Sequence, residues 1–181
     1  MRMESHEGLY ALSLDALCVP EALARGEWQC RRARRDELDR LVDWRVAYNV
    51  ESNGQADGPE LRAWSREEIE RGLDEDASWV LEVDGTPVAY QQFNAMLPHV
   101  VQVGGVWTPP PLRGRGYARA VVAGALLAAR AAGAHRSVLF TGLANVAARR
   151  AYAALGFERV GDWGLLFLRQ PARPRFSSRS R

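Results

Sequence analysis

Residues 108–118 read TPPPLRGRGYA. Three consecutive prolines stop a strand, because none has a backbone N–H to give to a ladder. Two glycines follow, each beside an arginine, and an alanine-rich helical run opens at Tyr117. Gly114 and Gly116 permit tight backbone conformations in which successive N–H groups turn inward on one anion. The helix adds free N–H donors and about half a positive charge at its start. Strand, glycine loop and helix together make a seat for phosphate, and Arg113 and Arg115 bring charge-assisted donors to it. Plain turn chemistry is the competing reading of a lone GxG.

Two other phosphate loops are excluded. The P-loop needs a lysine, and all 24 basic residues of this chain are arginine. The dinucleotide fingerprint GxGxxG needs a glycine at position 119, where the chain has Arg119.

Working outward, the hydrophobic period is extended before the loop. SWVLEV and TPVAYQQFNAM read as two strands joined by an Asp84-Gly85 hairpin turn. HVVQVGGVWT reads as a third, with Gly104-Gly105 marking a bulge or a close backbone approach. Upstream lie a short strand at WQCRRA, a helix capped by Asp36 and a second helix after Pro59. Downstream come a helix from 117 to 132 ended by Gly133, the strand HRSVLFTG, and a helix capped by Asn145 and stopped by Gly156. FERVGDWGLLFL closes as one or two strands. The order β-αα-βββ-α-β-α-β predicts an α/β (α+β) fold, a mixed, mostly antiparallel central sheet with helices on both faces.

RGRGYA fits the Q/R-x-x-G-x-G/A pattern of the GNAT N-acetyltransferase superfamily, with Arg113, Gly116 and Ala118 at its fixed positions. NVAARRAYAALGF resembles that family's final helix and following strand through Asn145, Ala148, Tyr152, Gly156 and Phe157. The resemblance covers about residues 26–170, and VGGVWTPPPLRGRGYA is similar to a poorly characterised bacterial branch whose members often carry an additional N-terminal domain. Residues 1–25 are expected to be an N-terminal extension, a remnant of something larger packed as an extra edge element. Residues 171–181 are expected to be a basic flexible tail.

The resemblance implies acetyl-CoA as cosubstrate, lying where two parallel strands splay apart. It places the pyrophosphate on Arg113, Gly114, Arg115, Gly116, Tyr117 and Ala118. The pantetheine arm would pair with the edge at Val106, Trp107 and Thr108, with Asn145 on its other side. An amine would attack the thioester directly. Tyr152, two helical turns after Asn145, is the expected proton donor to the leaving thiolate, since a phenol of pKa about 10 can protonate a thiolate whose thiol titrates near 8.5. Glu51 and His99 are candidate general bases, Gln102 could hold a water in that role, and a water chain without a side-chain base is the remaining option. Trp44, Tyr48, Tyr90, Phe93 and Trp107 either line an acceptor pocket or pack the core. The expected acceptor is a small-molecule amine, with a protein N-terminus or lysine left open. A CoA-binding module without turnover is the alternative reading.

Composition sets outer limits. Charged residues make up 25% of the chain and the formal net charge is +2. RRARR at 31–35 reads as a solvated face, and no aromatic or groove-reading element accompanies it, so nucleic acid is not an expected partner. No apolar run has the length of a membrane span, and the expected compartment is cytoplasmic. Cys18, Cys30, His6, His99 and His135 lack metal-ligand spacing, so no metal is expected. The apolar GLLFL at 164–168 would permit a homodimer.

Overall fold

Burial along Val100–Trp107 alternates between buried and half-buried residues, so neither face of this strand lies open to water. This strand is the centre of a computed structural model that describes residues 2–167. Seven strands form one sheet: β1 (Arg2–Ser13), β2 (Gln29–Arg32), β3 (Ser78–Val83), β4 (Thr86–Met96), β5 (Val100–Trp107), β6 (Arg136–Gly142) and β7 (Glu158–Phe167). Their spatial order is β2-β3-β4-β5-β6-β1-β7. All neighbours are antiparallel except β5 and β6. The helices are α1 (Glu21–Ala24), α2 (Leu38–Asn53), α3 (Pro59–Asp74), α4 (Tyr117–Ala131) and α5 (Val146–Ala153). From Gln29 onward the element order is the expected one, in a mixed, mostly antiparallel sheet. The Asp84-Gly85 turn joins β3 to β4 with φ of 48° and 73°, the geometry of a tight hairpin.

The N-terminal segment departs from expectation. β1 is not an edge element. It lies inside the sheet, pairing with β6 on one side and β7 on the other. Tyr10 and Leu12 point from it into the main core. Sequence gave no signal for the pairing partner, because both partners lie more than 120 residues away. Asp36 is also not the cap of α2. Glu37 holds the N-cap position without a side-chain cap bond to that helix, and its Oε2 instead accepts from the Arg34 N–H at 2.8 Å, closing the 3-10 turn ahead of it. The arginines of 31–35 are ion-paired rather than simply solvated. Arg31 bridges Glu37 and Glu82, Arg32 meets Asp76, and Arg35 meets Asp74. The basic tail lies outside the described residues.

Two cores sandwich the sheet. One holds Val121, Ala125 and Leu126 of α4 against Leu81, Val101 and Leu139. The other holds Leu41, Val42 and Val46 of α2 and Ile69 of α3 against Val80 and Tyr90. Cys30 backs onto Gly124 of α4 and donates its S–H to the Val121 carbonyl at 3.4 Å. Burial pushes its thiol up to about 12, which makes it a small packed residue and no nucleophile.

The centre of β5 is bulged. Val101 and Val103 face α4, so strict alternation would send Trp107 there too. Trp107 instead belongs to the α2–α3 core. The β4–β5 register shifts between Tyr90/Gln92, and Gly105 holds a φ of +57° within that shift. The extra residue rotates the strand end onto the other face. A Cβ at Gly105 would collide with the Arg45 guanidinium, so close packing as well as φ requires glycine here.

β5 pairs with β6 only from Val100 to Gln102, although the strands continue to Trp107 and Gly142. Past that point the parallel pair has parted, leaving a gap open at its C-terminal end.

Leu12 is 3% exposed and tests whether β1 belongs to the cooperative fold. Leu12→Ala is expected to lower unfolding stability by about 2–5 kcal/mol in a single urea transition. A change below about 0.5 kcal/mol would show that β1 folds separately from the sheet.

Candidate active site

The end of β5, the loop after it and the start of α4 form one rim of the gap. Pro110–Leu112 make a 3-10 turn, and α4 begins after Gly116 as its N-cap. Gly114 and Gly116 both lie in the left-handed region, at φ +79° and +84°. Alternating left-handed residues turn their N–H groups to one side, where they converge with the free donors of α4. Nothing stands within 4 Å of where a Cβ of Gly114 would be, so this seat is open. At Gly116 the nearest atoms are the Arg119 guanidinium, at 3.3 Å, and the Trp28 ring, at 3.9 Å. Trp28 in turn meets the Tyr117 ring edge-on at 5.1 Å. Arg119 was missed in the sequence. Its signal was its place one helical turn past Gly116, which returns its side chain over the N-terminus. Arg115 is exposed beside the same seat, and Ala118 follows in the first turn.

Arg113 does not face that seat. Its Nη atoms grip Glu51 at 2.8 and 3.0 Å, and its Nε donates to the Thr108 carbonyl at 2.9 Å. Its guanidinium lies 4.6 Å above the Trp107 ring. Two residues expected to act separately, Arg113 on phosphate and Glu51 as base, are therefore joined. The pair clips the end of α2 to the loop after β5. A carboxylate held at both oxygens by a fixed cation is poorly placed to take a proton from a third group.

Beyond Gln102 the side of β5 toward β6 has no strand partner, so its main-chain groups can pair with an extended ligand. Thr108 is buried and its Oγ1 has no hydrogen-bond partner, an orphaned polar atom at the strand end. Val106 packs against the α4 core, while Trp107 packs against α2.

Asn145 stands at the opposite rim, but its Oδ1 is committed. It accepts from the Ala148 N–H at 3.0 Å and caps α5. Only its amide NH₂ is left to meet a ligand. Tyr152 is the penultimate residue of α5, edge-on to Phe157 at 5.9 Å. Burial raises its phenol above the ordinary range, and Tyr48 adds to the shift. Tyr48 meets Trp107 edge-on at 6.4 Å, and burial raises its phenol too, with Arg45 opposing and Glu7 adding.

Arg45 was not singled out from sequence, since an arginine inside an amphipathic helix usually points to water. Here it is 7% exposed. It pairs with Glu68 at 3.1 Å and lies over the rings of Tyr48 and Trp64 at 5.4 and 5.7 Å. Its Nε is buried without a partner. Tyr90 and Phe93 are core residues, and the Tyr90 hydroxyl donates to Gln92 Oε1 at 2.6 Å. Trp44 packs against the α2–α3 core. His99 is excluded from the site by topology. It precedes β5, at the opposite end from the gap, about 23 Å of strand away from Val106. It stacks on His135 with ring centres 5.5 Å apart, so two of the histidines do come together. Among the described residues no group of three His, Cys, Asp or Glu is placed to hold a metal ion, and no helix is long and apolar enough to cross a membrane.

The family model for the acetyltransferase (GNAT) family matches residues 38–157. An acetyltransferase of the GNAT family from Colwellia psychrerythraea is similar in structure, with a TM-score of 0.66 and 17% identity, over 91% of this chain and 56% of that one. An N-acetyltransferase from Kribbella flavida gives a TM-score of 0.60 and 22% identity, over 89% and 57%. A predicted acetyltransferase with acetyl-CoA from Clostridium acetobutylicum gives 0.58 and 17%, over 74% and 91%. The chain thus spans little more than half the length of the first two. No curated protein matches it in sequence.

The left-handed seat makes a direct prediction. Gly116→Ala is expected to cost about 1–2 kcal/mol in urea unfolding, because it forces a side chain into that conformation. Gly142→Ala, with open space and no positive φ, is expected to cost less; equal losses would mean that the Gly116 geometry is not required.

Proposed function

Because the chain belongs to the GNAT acetyltransferase family, we propose that it is an acyltransferase that moves the acetyl group of acetyl-CoA to a primary amine on a small molecule. The observation that carries this reading is the unpaired β5 edge opening beside the glycine seat. An extended amide-bearing arm can pair with Val106, Trp107 and Thr108 while its phosphates rest on the N–H groups of residues 114–118. Arg115 and Arg119 stand nearest to that anion, and Arg113 holds the loop to α2. Bound acetyl-CoA would supply the activated acyl group.

The reaction is direct. A neutral amine nitrogen attacks the thioester carbonyl carbon, the C–S bond breaks, and Tyr152 donates its proton to the departing sulfur. A backbone N–H at the bulged end of β5 is suited to the developing oxyanion. Burial keeps the Tyr152 phenol protonated through neutral and mildly alkaline pH, so the donor is always loaded. Among the described residues β7 is one end of the sheet, and an edge there supports pairing of two copies.

Calorimetric titration with acetyl-CoA tests the cofactor half. Micromolar binding is expected, weakened at least tenfold by Arg115→Ala/Arg119→Ala; absence of binding to the folded wild type would sink the reading. For the chemistry, Tyr152→Phe is expected to lower kcat about 100-fold at unchanged KM. The wild-type rate should not fall between pH 7 and 10 through loss of the tyrosine proton, because a donor with a raised pKa loses its proton only above that range. An alkaline fall that Tyr152→Phe abolishes would contradict the assignment.

A further inference from the structure

The proposed transfer needs an N–H at the end of β5 that stays in place while charge gathers on the thioester oxygen. Resting on the acetyltransferase reading, we propose that Arg45 of α2 is the positioning residue for that N–H. Its guanidinium takes the place of the side chain that Gly105 lacks and so sets the shape of the β5 bulge.

The bulge needs a support from outside its own strand. β5 has already left β6 at this point, and its register with β4 shifts here. Gly105 holds a φ of +57°. Glycine reaches that region readily, but it reaches many others as readily, so residue 105 does not fix the bulge by itself. Arg45 closes in from α2. Its guanidinium carbon lies 3.6 Å from where a Cβ of Gly105 would be, and the Tyr90 ring stands 3.8 Å from the same point. A flat cation reaching in from a helix therefore limits the strand where the strand has no side chain of its own.

Arg45 is itself held on several sides. It is 7% exposed, and its Nη2 donates to Glu68 at 3.1 Å. The other oxygen of Glu68 engages Arg71. The Arg45 guanidinium also lies over the rings of Tyr48 and Trp64. Tyr48, one turn further along α2, meets Trp107 edge-on at 6.4 Å. The same turn of helix thus holds β5 at Gly105 and again at Trp107. Packing alone does not call for an arginine here. Its Nε is buried with no partner, a cost that an apolar side chain of similar volume would avoid. What the arginine adds is a rigid plane at a fixed place.

The chemistry gives that place its importance. As the amine nitrogen bonds to the carbonyl carbon, the C=O π pair moves onto oxygen, where an N–H of the bulge meets it. The pair returns as the C–S bond breaks and the sulfur takes the Tyr152 proton. The nitrogen sheds its surplus proton to solvent, and a solvent proton restores Tyr152. A donor misplaced by about 1 Å can cost on the order of 100-fold in rate.

The test is infrared spectroscopy of acetyl-CoA labelled with ¹³C at the thioester carbonyl, bound to the full chain, with calorimetric titration of the same samples. In wild type the carbonyl stretch is expected to lie lower than in free acetyl-CoA, because the N–H polarises it. In Arg45→Met/Glu68→Met, which removes the ion pair without stranding a charge, the stretch is expected to return to the free value at unchanged acetyl-CoA affinity. Arg45→Lys keeps the charge but not the plane. It is expected to lose part of the shift, and it decides the matter if the double variant fails to fold. An unshifted stretch in wild type overturns the proposal, as does a shift unchanged in a folded variant. Parallel loss of affinity and shift also overturns it, since that is the mark of a general structural role. If the folded wild type binds neither CoA nor acetyl-CoA, the acetyltransferase reading itself falls; if it binds both and the stretch is unshifted, only the role of Arg45 does.

Discussion

Two parallel strands that share one sheet stop pairing after three residues, and the rest of the site is arranged around that separation. Main-chain N–H and C=O groups left without partners in a partly buried place are unfavourable unless water or a ligand meets them. The sheet bears this because each parting strand is held on its far side. β5 is laddered to β4 as far as Trp107, and β6 is laddered to β1 along its whole length. The bulge at Gly105 then turns Trp107 toward α2, so the strand that offers its edge also supplies the aromatic surface below Arg113 and Tyr48. One extra residue in β5 thus links ligand pairing, side-chain placement and the close approach of Arg45.

Arginine carries the electrostatics throughout, and its planar shape matters more than its charge. Arg113 uses three faces at once: a fork on Glu51, an Nε bond to Thr108 and a ring contact with Trp107. Its side chain is 41% exposed and that of Glu51 is 50%, so water screens the pair and its worth is at most about 1 kcal/mol. A clip of that strength holds the loop against α2 without locking it. Arg45 is the opposite case, a buried cation balanced by Glu68 and two rings, where loss of one partner would strand the other.

The sequence made the local chemistry legible and left the long-range pairing hidden. The prolines and glycines of 108–118 announced the loop because they restrict or free φ within a few residues. Asn145 announced the cap of α5, and Asp84-Gly85 the hairpin, for the same reason. Trp107 changing faces could not be read, since Gly104-Gly105 signals a bulge but not which way the strand leaves it. Arg113 and Glu51 are 62 positions apart, and only the folded chain shows that they consume each other. His99 looked useful because it precedes the strand that feeds the site. A parallel pair has its open end at the C-terminus, so that position is the wrong one.

The place of β1 also governs the order in which the molecule can assemble. Residues 2–13 leave the ribosome more than 120 residues ahead of the strands on either side of them, 136–142 and 158–167. Until those strands emerge this strand has no correct partner, and the half of the sheet beyond β5 cannot close. Such non-local pairing gives a high contact order and slow folding. A nascent chain in that condition exposes two β-edges of its own, which makes this half of the fold the one most dependent on chaperones and most exposed to misassembly.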